Sequence, residues 1–401
     1  MVDQVPCAPA VTSTAQPQQG IAGSLYIPWT RIVMAVMGLR ALVTFVGIGV
    51  RLMLPQAQQS DGIFNLLLDP WRQFDATRFI DIATHGYQAN GLNVAYMPLY
   101  PFLLRLAAVL TGGHYLTAGT LVSTCACVVG VGLLWRWTAD LFSEAVAWRA
   151  VAVYLLFPDA FYLMCAYSES VFLALSAGCL LASHRSHPLI AGLLGSLAVL
   201  ARLQGVVLVL PIACDVLAHR PSQAWSGLLS GKNRSWLAIA ALGAGMPLVT
   251  LGAYQKGFSW LVGGSGIVDT FQRTWHITLQ PPWGTIRQYL DIIRSPQFDF
   301  FHSRTANYVM VWDLLVGLLV LLVLALSWRR LGASLSLYGV ASWAFALSRW
   351  YSTGRYMLAV MPFFIAVAVW VPNRKLKYFT VVTTLLMVFF AAEFAQGGWI
   401  D

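Results

Sequence analysis

The densest gathering of reactive side chains in the chain is WRQFDATRFIDIATHGY, Trp71 to Tyr87. Asp75, Arg78, Asp81 and His85 stand three or four residues apart, so a helix here puts them on one face. Phe74, Ala76, Phe79, Ile80, Ile82 and Ala83 form an apolar stripe beside them, as in a helix lying at a membrane surface. Tyr87 closes the segment. Carboxylates and an imidazole can move protons, and a guanidinium can hold a phosphate. The plain alternative is a solvated face with local ion pairs.

Three further clusters lie at junctions between apolar runs. Tyr167-Ser168-Glu169-Ser170 opens one run, where Glu169 is either functional or simply a carboxylate favoured at a helix N-terminus. Arg202 and Gln204, in Ala-Arg-Leu-Gln-Gly, lie between two runs. An ionisable group at membrane depth is a functional candidate, against the alternative of an arginine snorkelling to headgroups. Arg349, Arg355 and Tyr356, in SRWYSTGRY, are candidates of the same kind or interface anchors. His302, Arg304, His276 and Trp283 belong to a long polar loop, and a lone loop histidine is commonly only solvated. No HExxH or Cys/His spacing marks a tight metal site, and no CxxC pair occurs among the six cysteines. Gly263-Gly264-Ser265-Gly266 follows no strand and reads as a flexible loop.

The composition says what must position these residues. The chain has 401 residues, 58% hydrophobic and 10% charged, against about 25% charged in soluble domains. That excludes a disordered chain, a disulfide scaffold and an ordinary cytosolic enzyme, and leaves an all-α polytopic membrane protein. The formal charge of +9 lacks the Lys/Arg runs with interleaved aromatics of a nucleic-acid binder. It fits anionic lipid better. About 20 apolar residues cross a bilayer, and eleven candidate spans follow: 30–54, 115–138, 145–165, 168–184, 188–201, 204–218, 235–255, 307–327, 332–347, 356–371 and 376–395.

Eleven Lys and Arg residues crowd the short loops near 139–144, 184–188, 219–234, 328–331 and 372–377. The positive-inside rule places those loops in the cytoplasm. The long loops 55–114 and 256–306 then face outside, with most of the carboxylates. Within the first, Met97–Leu110 is too short and polar for a span and reads as an interfacial helix. Residues 1–29, with no signal-peptide pattern, read as a disordered cytoplasmic tail. Residues 30–401 form the membrane domain.

The order of motifs resembles a known family. FDATRFIDIATHGY followed by AYMPLYP is similar to the first outer-loop signature of the GPI mannosyltransferase II (PIG-V type) family and its bacterial relatives. FPDAFYLMCAYSESVFLALS resembles its Tyr-Ser-Glu-Ser segment, ARLQGVVLVLP its Arg-x-x-Gly segment, and GRYMLAVMPFF its late Arg-Tyr motif. The chain departs from the pattern at Phe74, where the family commonly has Trp, and at Arg78, where many relatives have an aromatic.

The resemblance implies a GT-C glycosyltransferase fold, with interfacial helices in a catalytic outer loop. It implies inverting transfer of mannose from a polyprenyl-phosphate or dolichyl-phosphate donor, with Asp75 as the family's first-loop aspartate. Such a donor is already activated, so the enzyme needs one base, a phosphate clamp and positioning. Asp75 serves as base. Arg202 and Arg355 come first as the clamp, with Arg78 and Arg349 second. Asp81, His85, Tyr87, Tyr167, Glu169, Gln204, Tyr356 and His302 complete the candidates. No cofactor or metal is required, although a loosely bound ion stays compatible. The expected partners are membrane lipid, the lipid-linked donor and a glycolipid or glycan acceptor, with no nucleic acid. The expected membrane is the plasma membrane in a prokaryote or the ER in a eukaryote. A transporter or lipid flippase without transferase activity is the competing class.

Overall fold

The computed structural model describes residues 26–53, 67–87, 92–218, 231–258, 278–296, 307–349 and 352–398, with isolated positions between. Residues 1–25 of the expected tail, much of the 256–306 loop and His302 lie outside the described residues. Among those described there is no strand. The protein is an all-α bundle.

Fourteen helices carry the architecture among the described residues. They are α1 (Trp29–Met53), α2 (Asp75–His85), α3 (Leu99–Leu110), α4 (Tyr115–Leu141), α5 (Glu144–Leu155), α6 (Glu169–His184), α7 (Pro188–Ala201), α8 (Val209–Ala218), α9 (Gly231–Ala253), α10 (Pro282–Ile293), α11 (Asn307–Ala346), α12 (Thr353–Met357), α13 (Met361–Trp370) and α14 (Asn373–Ala395). Helices stand at all eleven expected spans. Only five are long and apolar enough to cross a membrane unaided, a sixth being added if a bent pair counts as one.

The shortfall has local causes. The expected span 145–165 breaks after α5 and continues as a tight turn at Pro158–Met164, bent by 84°. Phe157 there is extended (ψ 145°), as a residue before proline must be to avoid the pyrrolidine ring. The expected span 204–218 likewise begins as a tight turn, Leu203–Leu208, before α8. The 328–331 loop is itself helical, and α11 runs on to Gly332, whose φ of +76° reverses the chain. Trp343 donates to the Gly317 carbonyl at 2.7 Å, so the two halves of α11 are an antiparallel hairpin. The two expected spans survive with a tighter turn.

Charge sorts to the two ends of the bundle. At one end Asp140 takes both Arg136 and Arg185. Arg149 donates to the Val371 carbonyl at 3.2 Å, and Arg330 lies 3.9 Å over the Trp370 ring. Loops grouped by basic density therefore do meet. Arg185 and Glu169 stand sixteen residues apart along α6, about 24 Å at 1.5 Å per residue, close to a hydrocarbon core. Phe45, Val249 and Leu385 are exposed on the flanks, where lipid replaces water.

The spans pack through small residues. A Cβ on Gly243 of α9 would stand 2.2 Å from the Pro188 carbonyl oxygen, and one on Gly192 of α7 would stand 2.3 Å from that of Gly243. Backbones approach this closely only without side chains. At the site end, Trp71 lies flat on Gly47 of α1 and stacks on Phe394 of α14 at 6.2 Å. This clamp fixes the entry to α2. Gly243→Val is expected to force α7 and α9 apart and to cost about 1–3 kcal/mol, the range for overpacking. Thermal unfolding in detergent would read it as a lowered midpoint.

Candidate active site

Four charged side chains from four elements converge at one end of the bundle. Glu169 is the first residue of α6, and Arg202 stands at the break after α7. Arg355 belongs to the short helix α12, and Asp75 begins α2. The Glu169 Oε1 atom accepts from Arg202 Nη1 and from Arg355 Nε. Arg355 then extends Nη2 to Asp75 Oδ2 at 2.7 Å. The other Asp75 oxygen accepts from the Tyr96 hydroxyl at 2.9 Å.

Exposure separates the roles. The side chains of Glu169, Arg355 and Arg202 are 3%, 4% and 7% exposed, whereas Asp75 is 24% exposed. Asp75 is thus the acid in this cluster that an incoming molecule can touch. Glu169 neutralises the arginines behind it.

An aromatic collar surrounds the charges. The Arg355 guanidinium lies 4.6 Å from the Tyr167 ring, and the Tyr167 hydroxyl donates to the Gln73 carbonyl at 3.2 Å. Tyr356 is flanked by two cations, Arg349 at 3.8 Å and Arg202 at 4.5 Å from its ring. The Gln204 amide donates to the Ser342 carbonyl at 3.3 Å, tying the break after α7 to α11. Tyr87 donates to the Tyr96 carbonyl at 2.7 Å and so holds the segment that presents the Tyr96 phenol.

Backbone geometry aims Asp75 and Arg355. Phe74 has φ +45°, a left-handed value that costs a non-glycine residue about 1–3 kcal/mol. Its ring packs edge-on against Phe394 at 5.6 Å, and the Thr77 hydroxyl donates to its carbonyl at 2.7 Å. On the other side, Asp313 of α11 accepts from the backbone amides of Thr353 and Gly354 at 3.1 and 2.6 Å. Tyr289 of α10 donates to the same carboxylate at 3.0 Å. A Cβ on Gly354 would stand 2.8 Å from both Asp159 and the Trp312 indole nitrogen. Helix α12 is therefore seated on two buried carboxylates.

Of the residues singled out from sequence, Asp75, Glu169, Arg202, Arg355, Tyr167, Gln204, Tyr356 and Arg349 come together here. The expected single face on α2 divides. Arg78, Asp81 and His85 line a separate groove, with Asp81 and His85 paired at 2.9 Å. The reason is rotational: successive residues turn by about 100°, so Asp81 is about 120° around the helix from Asp75. Tyr96, Asp159, Tyr289 and Asp313 escaped the sequence reading. Asp313 did carry a signal, being a carboxylate inside a long apolar run. Tyr96 carried none beyond lying in AYMPLYP.

Burial opposes the Asp75 charge, but it is outweighed. The Arg355 charge and hydrogen bond, the Tyr96 hydrogen bond and the Arg202 charge hold its carboxyl below the ordinary value. Burial and the Asp75 charge push the Tyr96 phenol far up, so it stays a donor.

Residues 52–247 match the family model described as Mannosyltransferase (PIG-V). The resemblance read from the motifs holds over that stretch, which contains Asp75, Glu169 and Arg202 and ends before Arg349 and Arg355. No curated protein matches the chain. Among solved structures it is similar to the archaeal oligosaccharyltransferase AglB from Archaeoglobus fulgidus, in complex with an inhibitory peptide and a dolichol-phosphate. That likeness is 12% identical, covers 91% of this chain and 56% of the other, and has a TM-score of 0.44. It is also similar to ArnT from Cupriavidus metallidurans bound to undecaprenyl phosphate, at 13% identity, covering 88% of this chain and 62% of that one, with a TM-score of 0.48. The chain spans a little over half the length of the oligosaccharyltransferase it matches.

Tyr96→Phe removes a hydrogen bond to the charged form of Asp75, so the carboxyl rises toward its ordinary value. An acid limb that follows Asp75 would lie below the ordinary aspartate range in the wild type. The variant is expected to move that limb to higher pH. A pH profile of kcat/KM, which reports the free enzyme, measures the shift, and an unmoved limb would remove Tyr96 from the site.

Proposed function

We propose that this protein is an inverting membrane glycosyltransferase with Asp75 as its general base. It moves a hexose, mannose by family resemblance, from a polyprenyl-phosphate donor to a lipid-linked or glycan acceptor. One observation carries the reading: a carboxylate inside the mannosyltransferase family match, open to an incoming molecule, stands in front of the sealed Arg355. The GT-C architecture, the extracytoplasmic position of the site and the placement in a plasma or ER membrane belong to the same proposal. They rest on the resemblance and on the loop charges.

The chemistry asks little of the protein. The acceptor hydroxyl attacks the anomeric carbon as Asp75 takes its proton, and the bond to the lipid phosphate breaks with its electrons on the phosphate. Retention through a covalent intermediate would need a second carboxylate at the sugar, about 5–5.5 Å from the first. Glu169 is sealed behind Arg355, so one acid reaches the sugar and the stereochemistry inverts.

Charge balance refines the phosphate clamp. Arg202 and Arg355 are matched one for one by Glu169 and Asp75. The leaving phosphate needs positive charge beyond that pair, and Arg349, half-buried 3.8 Å from the Tyr356 ring, adds to it. Arg202, 4.5 Å from the same ring, holds Tyr356 in place and adds to the field. The arginines thus do the electrostatic work that a metal does in other transferases.

Asp75→Asn keeps the shape and the Tyr96 bond but cannot take a proton. With polyprenyl-phosphate mannose as donor, turnover is expected to fall at least about 100-fold, the lower end of general-base contributions. Wild-type turnover in a folded variant would overturn the reading. Arg349→Gln removes one charged hydrogen bond to phosphate, worth roughly 1.5–3 kcal/mol. It is expected to raise the donor KM by at least tenfold, measured by varying donor at saturating acceptor.

A further inference from the structure

Helix α2 has a second polar edge that the reaction above does not use. Arg78, Asp81 and His85 line a groove of about 940 Å3 between α2 and the turn joining α3 to α4. Small-molecule sites run to roughly 300–1,000 Å3. Arg72, from the approach to α2, and Thr84 and Tyr115 also face the groove.

The carboxylates here are already engaged. Asp69 pairs with Arg51 at 3.7 Å. Asp81 takes His85 at 2.9 Å and the Asn93 amide at 3.4 Å. Arg72 and Arg78 are exposed, and among the described residues neither has an ion-pair partner. Two open guanidiniums fit an anion, each able to bind it with two parallel N–H groups. The paired Asp81–His85, the Thr84 hydroxyl and the Tyr115 ring add what a polyol needs: acceptors, donors and a flat apolar face. Asp75 precedes Arg78 by three residues, about 4.5 Å of helix rise. A headgroup in the groove therefore lies one helical turn from the base.

We propose that this groove binds the acceptor, and that the acceptor headgroup is a sugar or polyol unit carrying a phosphate. The proposal rests on Asp75 being the base. The donor's phosphate sits with Arg349 on the Tyr356 side, and the acceptor's phosphate sits with Arg72 and Arg78 on the far edge of α2. The two substrates thus approach Asp75 from either side of the same helix.

Binding tests this without depending on turnover. The full chain in phosphatidylcholine nanodiscs is titrated with octyl mannoside 6-phosphate, octyl mannoside and octyl phosphate. The sugar phosphate is expected to bind at least tenfold tighter than either of the others. Arg72→Gln with Arg78→Gln should erase that margin, and Thr84→Trp, which fills the groove, should abolish binding. All three positions are exposed, so the thermal midpoint should hold. Absence of binding by every probe, or a sugar-phosphate affinity unchanged in the double variant, overturns the proposal. Equal binding by octyl phosphate also overturns it, since the groove would then hold an ordinary lipid phosphate. Asp75→Asn turnover separates the two readings. Lost turnover with no probe binding defeats the groove alone. Retained turnover with intact probe binding defeats the base, and with it the acceptor role of the groove.

Discussion

Everything at this site depends on the Glu169 carboxylate, which holds two guanidiniums at once in a place nearly closed to water. Taking an ion out of water costs about several kcal/mol even after relaxation. Two arginines could not sit this close and this deep without a negative charge between them. Glu169 makes the pair tolerable, and Arg355 can then spend its remaining donor on Asp75. Removing one partner of such a buried set costs roughly 3–5 kcal/mol, because the others are left uncompensated. The cluster is a local source of specificity more than of stability. It allows one arrangement of four helix ends and penalises every other.

The surrounding structure serves that arrangement. Helix α12 is too short to hold itself, and the isolated turn would be unstable. It is pinned from below by Asp313 and Asp159, from the side by Tyr289 of α10, and by a glycine where any larger residue would strike a carboxylate. Helix α2 is pinned by Trp71 against α1 and α14. Asp75 and the Arg355 that pairs with it therefore both sit on short elements anchored by long ones. Precision comes from the spans and access from the short helices.

The bundle as a whole separates two kinds of polar work. At one end arginines and Asp140 tie short loops together. At the other, carboxylates and arginines balance inside the protein, with Arg349 against Tyr356 beside them. The apolar length between them matches a bilayer. Breaks at Pro158, Arg202 and Gly332 fall where the chain must turn or where a charge must meet its partner at a helix end. They account for spans that are shorter than a free helix would need.

The amino-acid sequence alone determined the class and the plan. Its apolar runs placed a helix at each of eleven positions, because a bilayer demands internally bonded backbone. Loop charges grouped the ends that the structure brings together, and four motifs picked out Asp75, Glu169, Arg202 and Arg355. Pairing was beyond its reach. Periodicity put Asp75, Arg78, Asp81 and His85 on one face, yet a helix turns far enough over six residues to send Asp75 inward and Asp81 to the groove. Arg355 stands 280 residues from Asp75, and only packing could show that it is held by two acids. The Tyr96 bond to Asp75 was invisible for the same reason, and Asp313, though conspicuous in an apolar run, gave no sign of its partners. A hydrogen bond between segments far apart leaves no local pattern, and it exists only once the helices that carry its two ends have been brought together.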